Sequence, residues 1–278
     1  MPSSPSIVEA APAKLNLALH VRARRADGYH QLETLFVFAR HGDTLRVTLA
    51  ERDSFTVSGP FATALTTEGD NLVLRARDAF AARFGAPAMA IELVKNLPVA
   101  SGVGGGSADA AAMLRVLARL RSVDAGALHE LAAELGSDVP ACLLGRTAIG
   151  RGRGEALEAL PGLGDVPALL VNPGVAVSTP AVFAQWSGLD QGALPRGNPL
   201  DIARNGRNDL QPPAIALAPQ IADVLALLGR QPGVNLVRMS GSGATCFALF
   251  EVVSDRDAAG CAVRAAQPGW WCLETALA

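Results

Sequence analysis

Residues 97–111 read LPVASGVGGGSADAA, and four of the five residues from Gly102 to Gly106 are glycine. The apolar stretch ahead of them, AMAIELVK at 88–95, predicts a strand. The stretch behind them, SADAAAMLRVLARLR at 107–121, predicts a helix. Met113, Leu117 and Leu120 share one stripe of it, and Arg115, Arg119 and Arg121 can reach water. Glycines let successive backbone N–H groups turn toward a ligand, because no side chain stands in the way. The following helix adds unpaired N–H groups and the positive end of its dipole. A plain turn between a strand and a helix needs fewer glycines, so the stretch points to phosphate. Two familiar phosphate motifs do not fit. A Walker loop needs a lysine after its last glycine, where Ser107 and Ala108 stand. A dinucleotide fingerprint fails at its third glycine, where Ser107 stands, and no acidic residue ends a strand about 20 residues on. Ser107 is placed either to cap the helix or to offer a hydroxyl to a phosphate or its magnesium ion.

The composition allows such a site inside a large core. Of 278 residues, 50% are hydrophobic and 18% charged, which excludes general disorder. The net charge of −2 implies no basic surface, so nucleic acid is not an expected partner. No run reaches the length of a membrane span, and VPALLVNPGVAV is broken by Asn172 and Pro173. The opening MPSSPSIVEAAPAK has no cationic start and no long apolar core, so no secretory signal is expected. Cys142, Cys246, Cys261 and Cys272 show neither metal-ligand spacing nor a disulfide framework, and read as idle thiols in a reducing compartment. A soluble, cytoplasmic protein is expected.

Along the chain, LNLALHV at 15–21 alternates. Leu15, Leu17, Leu19 and Val21 point to one face; Asn16, Ala18 and His20 point to the other, with Lys14. An arginine-rich turn around Asp27-Gly28 follows, then strands at 31–39 and 44–50 that suggest a meander. Helices are expected at 71–84 and 126–135, and a further one begins in SDVPACLL, with Ser137 or Asp138 capping and Pro140 in the first turn. The stretch around 150–165 is rich in glycine and proline and divides 1–157 from 158–278. Beyond it come strand 167–172, helix 214–228, strand 234–239, strand 246–253, helix 255–265 and a last strand near 270–276. MSGSGATC at 239–246 reads as a hairpin turn between two of these strands. Strands and helices segregated in this way predict α+β architecture rather than a doubly wound sheet.

Three stretches, APAKLNLAL at 11–19, LPVASGVGGGSADAA at 97–111 and MSGSGATCFALF at 239–250, resemble in order the three motifs of the GHMP kinases, the family of galactose, homoserine, mevalonate and phosphomevalonate kinases. DGYHQLETLF, GSDVPACL, NPGVAVSTPAVF and NDLQPPA narrow the resemblance to the branch that phosphorylates a cytidine-diphosphate alcohol in the non-mevalonate route to isoprenoid precursors. The resemblance runs from about residue 11 to 250. It implies a two-domain α+β fold, an ATP-binding domain at 1–157 and a carboxy-terminal domain at 158–278, with the active site in the cleft between them. It implies ATP and Mg2+ as ligands, a small cytidine-diphosphate alcohol as substrate, and a monomer or weak homodimer without nucleic acid or membrane partners. The metal ligands stay open.

The same resemblance gives residues their roles. Pro98, Val99, Ala100, Ser101, Gly102, Val103, Gly104, Gly105, Gly106, Ser107 and Ala108 would wrap the ATP phosphates through backbone amides. Lys14 matches the catalytic lysine and Asp138 the catalytic aspartate; on spacing alone they read as a solvated strand residue and a helix cap. Asp138 would accept the hydroxyl proton or orient the hydroxyl, and Lys14 would favour the ionised forms. Tyr29, the only tyrosine, would stack on cytosine with Phe183 opposite, and His30 would bond the base edge. Phe183 on its own reads equally as a core aromatic. Asn16 shares the strand face of Lys14 and should face the substrate, and Asn208 lies in a recurring segment without an assigned role. Val103 and Ala108 depart from the leucine and second serine that many relatives carry, and Ala108 removes a hydroxyl from the loop. The rival readings are another GHMP kinase, a silent nucleotide sensor and a dinucleotide oxidoreductase. Tyr29, His30 and Phe183 argue against the first, Lys14 and Asp138 against the second, and the failed fingerprint against the third.

Overall fold

The computed structural model describes residues 6–65 and 71–278. The first five residues of the segment read as lacking a secretory signal lie outside them. In chain order the elements are β1 (Ile7–Arg24), β2 (His30–Leu49), β3 (Ser54–Ser58), α1 (Leu72–Phe84), β4 (Met89–Val94), α2 (Gly105–Arg121), α3 (Ala125–Leu135), α4 (Val139–Leu144), β5 (Ala148–Gly152), β6 (Ala156–Ala159) and β7 (Val166–Asn172). Then follow α5 (Thr179–Ala184), α6 (Pro199–Asn205), α7 (Gln211–Leu217), α8 (Gln220–Gly229), β8 (Val234–Met239), β9 (Cys246–Phe250), α9 (Val253–Ala266) and β10 (Trp271–Leu277). The class is α+β. Two compact units interleave along the chain. One holds the chain up to Ala13, His41–Val99 and Gly104–Gly145; the other holds Lys14–Arg40, Ala100–Val103 and Arg146–Ala278.

In the first unit the second half of β2 pairs antiparallel with β4, from Thr44↔Val94 to Leu49↔Met89. β3 pairs parallel with β4 from Ser54↔Ala90 to Ser58↔Val94. A parallel pair needs a crossover connection, and α1 lies on it. The Asn71 side chain caps α1 by accepting from Val73 N at 2.9 Å, and Gly85 ends it at φ +72°. α2 is buried from Ala108 to Leu114 and again at Val116 and Leu117, so its amino-terminal half is a core helix. Its alanines let α1 and α4 pack closely on it.

In the second unit the first half of β2 pairs with β5, from Leu32↔Gly152 to Phe36↔Ala148, and β5 pairs with β6. β10 pairs with β2 at Leu277↔Ala39 and along its length with β7; β7 pairs with β9, and β9 with β8. α8 packs on β8 and β9, and α9 on β7, β9 and β10. The core between them includes Leu169, Val171, Ile221, Val224, Phe250 and Val263.

Two expectations change. The strands at 31–39 and 44–50 are one strand, β2. Gly42 keeps it unbroken, because an added Cβ there would lie 2.1 Å from Ala11 O; only glycine lets β1 pass so close. The helix at 214–228 is two helices, α7 and α8, separated at Ala218 and Pro219. Proline has no N–H for the helix ladder and its ring crowds the preceding turn. Among the described residues no helix is long and apolar enough to cross a membrane.

Candidate active site

The alternation read in LNLALHV places Lys14 and Asn16 on one face of β1, and both are buried, at 3% and 2% exposure. A lysine ammonium so enclosed needs partners. Lys14 Nζ donates to Asn16 Oδ1 at 3.0 Å and stands 5.2 Å from the centre of the Phe36 ring. Asn16 is fixed in turn: its Nδ2 donates to Thr34 Oγ1 at 2.7 Å, and Thr34 Oγ1 donates to Ala18 O at 2.7 Å. Lys14 is therefore not a solvated strand residue. A hydrogen-bonded chain from β2 through Asn16 holds it.

The glycine loop is tied to the same strand. Lys14 N donates to Val103 O at 2.8 Å. The turn after β8 holds the loop from another direction. Thr245 N donates to Ser101 O at 3.0 Å, and Ser240 Oγ donates to Gly102 O at 2.9 Å. Ser240 Oγ also accepts from Asn16 N at 3.1 Å. Within the second unit, all three matched stretches thus meet through Lys14, Asn16, Ala100–Val103 and Ser240. Gly102 has φ +80°, and an added Cβ would lie 2.7 Å from both Gly243 O and Ser240 O. Ala100 and Gly104 also have positive φ, 51° and 64°. Positive φ at these positions is the left-handed backbone that glycine adopts without strain.

The remaining loop residues belong to the first unit. Pro98 and the half-exposed Val99 lead in. Gly104 caps α2 without a side chain, and Gly105, Gly106 and Ser107 supply the first helical N–H groups, which have no intrahelical acceptor. Ser107 is the third residue of the helix and so is not its cap; its hydroxyl is half-buried. Ala108 is 1% exposed, packed where a serine hydroxyl would have to be buried. Asp138 stands at the N-cap position of α4, as expected, but its carboxylate makes no capping bond; only its backbone oxygen does so, accepting from Cys142 N at 3.1 Å.

The aromatic group is partly assembled. His30 and Phe183 rings lie 4.8 Å apart at 31°, and Trp186 meets His30 edge-on at 5.6 Å. Burial, then Arg24, lowers the His30 pKa, which keeps the ring neutral; its Nε2 is buried without a hydrogen-bond partner. Tyr29 is 53% exposed, and its ring faces the Arg153 guanidinium at 5.0 Å rather than Phe183. Asn208 takes a structural role: its Nδ2 donates to Met239 O and Gly241 O, both at 2.8 Å, and braces the turn that carries Ser240.

Sequence reasoning missed Thr34, Ser240, Trp186 and a buried ionic group in the first unit. There Lys95 Nζ donates to Asp43 Oδ2 at 2.5 Å and to Asp109 Oδ2 at 2.7 Å. Burial alone would lower the Lys95 pKa, but the attraction of Asp109 and then Asp43 outweighs it and raises the value. Ser240 and Asp109 were inside quoted motifs, yet their partners lie far away in sequence. Among the described residues no group of three or more His, Cys, Asp or Glu side chains could hold a metal ion. Burial raises the Cys246 thiol pKa out of the reactive range.

Comparison with known proteins gives the family and the fold. The model described as "GHMP kinases N terminal domain" matches residues 71–146, and "GHMP kinases C terminal" matches 192–268. A protein of Rhizorhabdus wittichii named 4-diphosphocytidyl-2-C-methyl-D-erythritol kinase is 53% identical over 278 residues, covering 97% of this chain and 94% of that protein. One of the same name from Agrobacterium fabrum is 50% identical, covering 95% and 94%. A crystal structure of 4-(cytidine 5'-diphospho)-2C-methyl-D-erythritol kinase superposes with a TM-score of 0.79 at 35% identity, over 98% of this chain and 99% of that one. Homoserine kinase from Cytophaga hutchinsonii, at 20% identity and a TM-score of 0.73, shares the fold over 97% and 94%.

Proposed function

Because this chain belongs to the GHMP kinase family, we propose that it transfers the γ-phosphoryl group of ATP to the 2-hydroxyl of 4-diphosphocytidyl-2-C-methyl-D-erythritol. The observation that carries the reading is the joining of β1 to the glycine loop: one residue, Lys14, holds Val103 O with its backbone and presents a buried ammonium with its side chain. Near-identical length and 53% identity to a protein named for that reaction give the substrate.

Phosphoryl transfer is positioning and charge stabilisation rather than covalent work by the protein. The amides from Ser101 to Ser107 line the phosphates, with the α2 dipole behind them. Lys14, held by Asn16, supplies the positive charge for the oxygen that develops as the acceptor attacks. Asp138, its carboxylate spared from capping, orients the acceptor hydroxyl and is placed to take its proton. His30 and Phe183 receive the base, with the orphaned His30 Nε2 meeting its edge, and Tyr29 closes over it after releasing Arg153.

Magnesium fits this donor set as an ion carried on the triphosphate. It keeps phosphate and water oxygens and takes one or two from the protein. Ser107 is the hydroxyl that would hold it, since Ala108 offers none. When bound it neutralises charge on the β- and γ-phosphates. The net charge of −2 offers no basic surface to nucleic acid, which fits a small-molecule partner.

The test is ADP release from the purified chain with four alcohols: the cytidine-diphosphate substrate, mevalonate, homoserine and galactose. Turnover with the first alone supports the reading. Turnover with another alcohol, or with none, overturns it.

A further inference from the structure

The glycine loop must hold its amides still, although its residues have almost no side chains to do so. Its entry and its exit both rest on the ionic group beneath them. At the entry, Asp43 Oδ1 accepts from Asn96 N at 2.6 Å and from Leu97 N at 2.8 Å. At the exit, Asp109 lies one turn into α2, on the face of Gly105. A Cβ added at Gly105 would lie 3.0 Å from Lys95 Nζ and 3.5 Å from Asp43 Oδ2. Lys95 therefore reaches under the first residue of the helix because glycine leaves it room.

The charges explain why a trio is needed. A lysine ammonium at a helix amino terminus is repelled by the dipole. Two carboxylates, 2.5 and 2.7 Å away, outweigh that repulsion. All three residues are 3% exposed or less, so solvent does not screen the group. Asp43 grips the strand end at Asn96 and Leu97, Asp109 grips the helix, and Lys95 joins the two. Resting on the reading of residues 98–108 as the phosphate loop, we propose that Lys95, Asp43 and Asp109 are positioning residues: a buried ionic strut that sets the spacing between the two ends of that loop and thereby its affinity for the ATP phosphates.

A strut differs from a general stabiliser in what it moves. Asp109→Ala removes the helix end of the strut and leaves the Lys95–Asp43 pair neutral. It should raise KM and Kd for ATP roughly tenfold, the scale expected for small misplacement of binding groups. Saturated kcat and KM for the cytidine substrate should stay within about twofold. Asp109→Asn keeps an oxygen for Lys95 to donate to and should restore ATP binding to near wild type. If Asp109→Ala does not fold by circular dichroism, Lys95→Met with Asp109→Leu keeps the net charge of the site and reads the same quantity. Wild-type ATP affinity in Asp109→Ala, or in the double variant where that one does not fold, overturns the inference, as does a proportional change in ATP affinity, substrate KM and kcat. Titration calorimetry with ATP gives the readout without turnover. A wild-type chain that binds ATP but phosphorylates nothing therefore contradicts the proposed function and leaves the strut testable. A wild-type chain that does not bind ATP contradicts both.

Discussion

Replacing Thr34 by Val tests the claim that Lys14 is held from β2. Valine has the outline of threonine without the hydroxyl. The substitution deletes the acceptor for Asn16 Nδ2 and the donor to Ala18 O, each 2.7 Å away. Thr34 is 1% and Asn16 2% exposed, so water does not replace either bond. An unsatisfied buried group costs about 1–3 kcal/mol, and a backbone oxygen with a second lone pair sits at the lower end, so the loss is roughly 2–4 kcal/mol. For a chain of this size that lowers Tm by about 5–15 °C. The Asn16 amide, left without Thr34, gains by rotating, and rotation takes Oδ1 away from Lys14 Nζ. Turnover should fall about tenfold or more while KM for ATP stays within about twofold, since the phosphate loop is untouched. Differential scanning fluorimetry and ADP release on the same samples measure both. Thr34→Ser keeps the hydroxyl and should remain within about 1 kcal/mol of wild type. A Thr34→Val protein with wild-type Tm and kcat would refute the account of how Lys14 is held.

Gly102→Ala introduces a Cβ 2.7 Å from two backbone oxygens at φ +80°, where neither neighbour can yield cheaply. The left-handed backbone costs about 1–2 kcal/mol and the crowding about 1–3 more, so Tm should fall and KM for ATP rise at least tenfold; unchanged values place the loop elsewhere. Tyr29→Ala should raise KM for the cytidine substrate about tenfold, the value of one stacked base, with KM for ATP within about twofold; equal effects on both remove Tyr29 from the base site. His20 donates from Nδ1 to Gly192 O at 3.0 Å and accepts from Arg207 N at Nε2 at 3.2 Å, which requires the neutral ring. Burial is the main cause that lowers its pKa from 6.5, so this contribution to stability is present above pH 6.5 and is lost as pH falls through the lowered value. His20→Gln should therefore lose less stability than wild type between pH 7 and pH 5 in urea titrations, and parallel profiles would contradict it.

Much of the local structure was legible because local chemistry set it. Asn71 and Gly85 bracket α1, and the alternation from Leu15 to Val21 put Lys14 and Asn16 on one face of β1. Strands expected separately at 31–39 and 44–50 are one, because Gly42 between them admits Ala11 where a side chain would clash. The helix expected at 214–228 divides at Ala218 and Pro219, where the proline lacks the N–H that would continue the ladder. MSGSGATC is indeed the connection between antiparallel β8 and β9. Nothing local reveals that its Ser240 reaches Gly102 and Asn16, 138 and 224 residues away. The same holds for Lys95, Asp43 and Asp109, ordinary charged residues in sequence that burial turns into one group. The two interleaved units are also invisible to local pattern, because β1 and β2 each contribute to both.

The central claim is phosphoryl transfer to the cytidine-diphosphate alcohol with Lys14 supplying charge and Asp138 serving the acceptor hydroxyl. Single-turnover transfer from γ-labelled ATP, with the product identified by phosphorus NMR, tests it in the wild type and in Asp138→Ala. The account predicts label on the 2-hydroxyl in the wild type, and in the variant ATP bound with near-normal affinity but not transferred. Transfer at the wild-type rate by Asp138→Ala would contradict it.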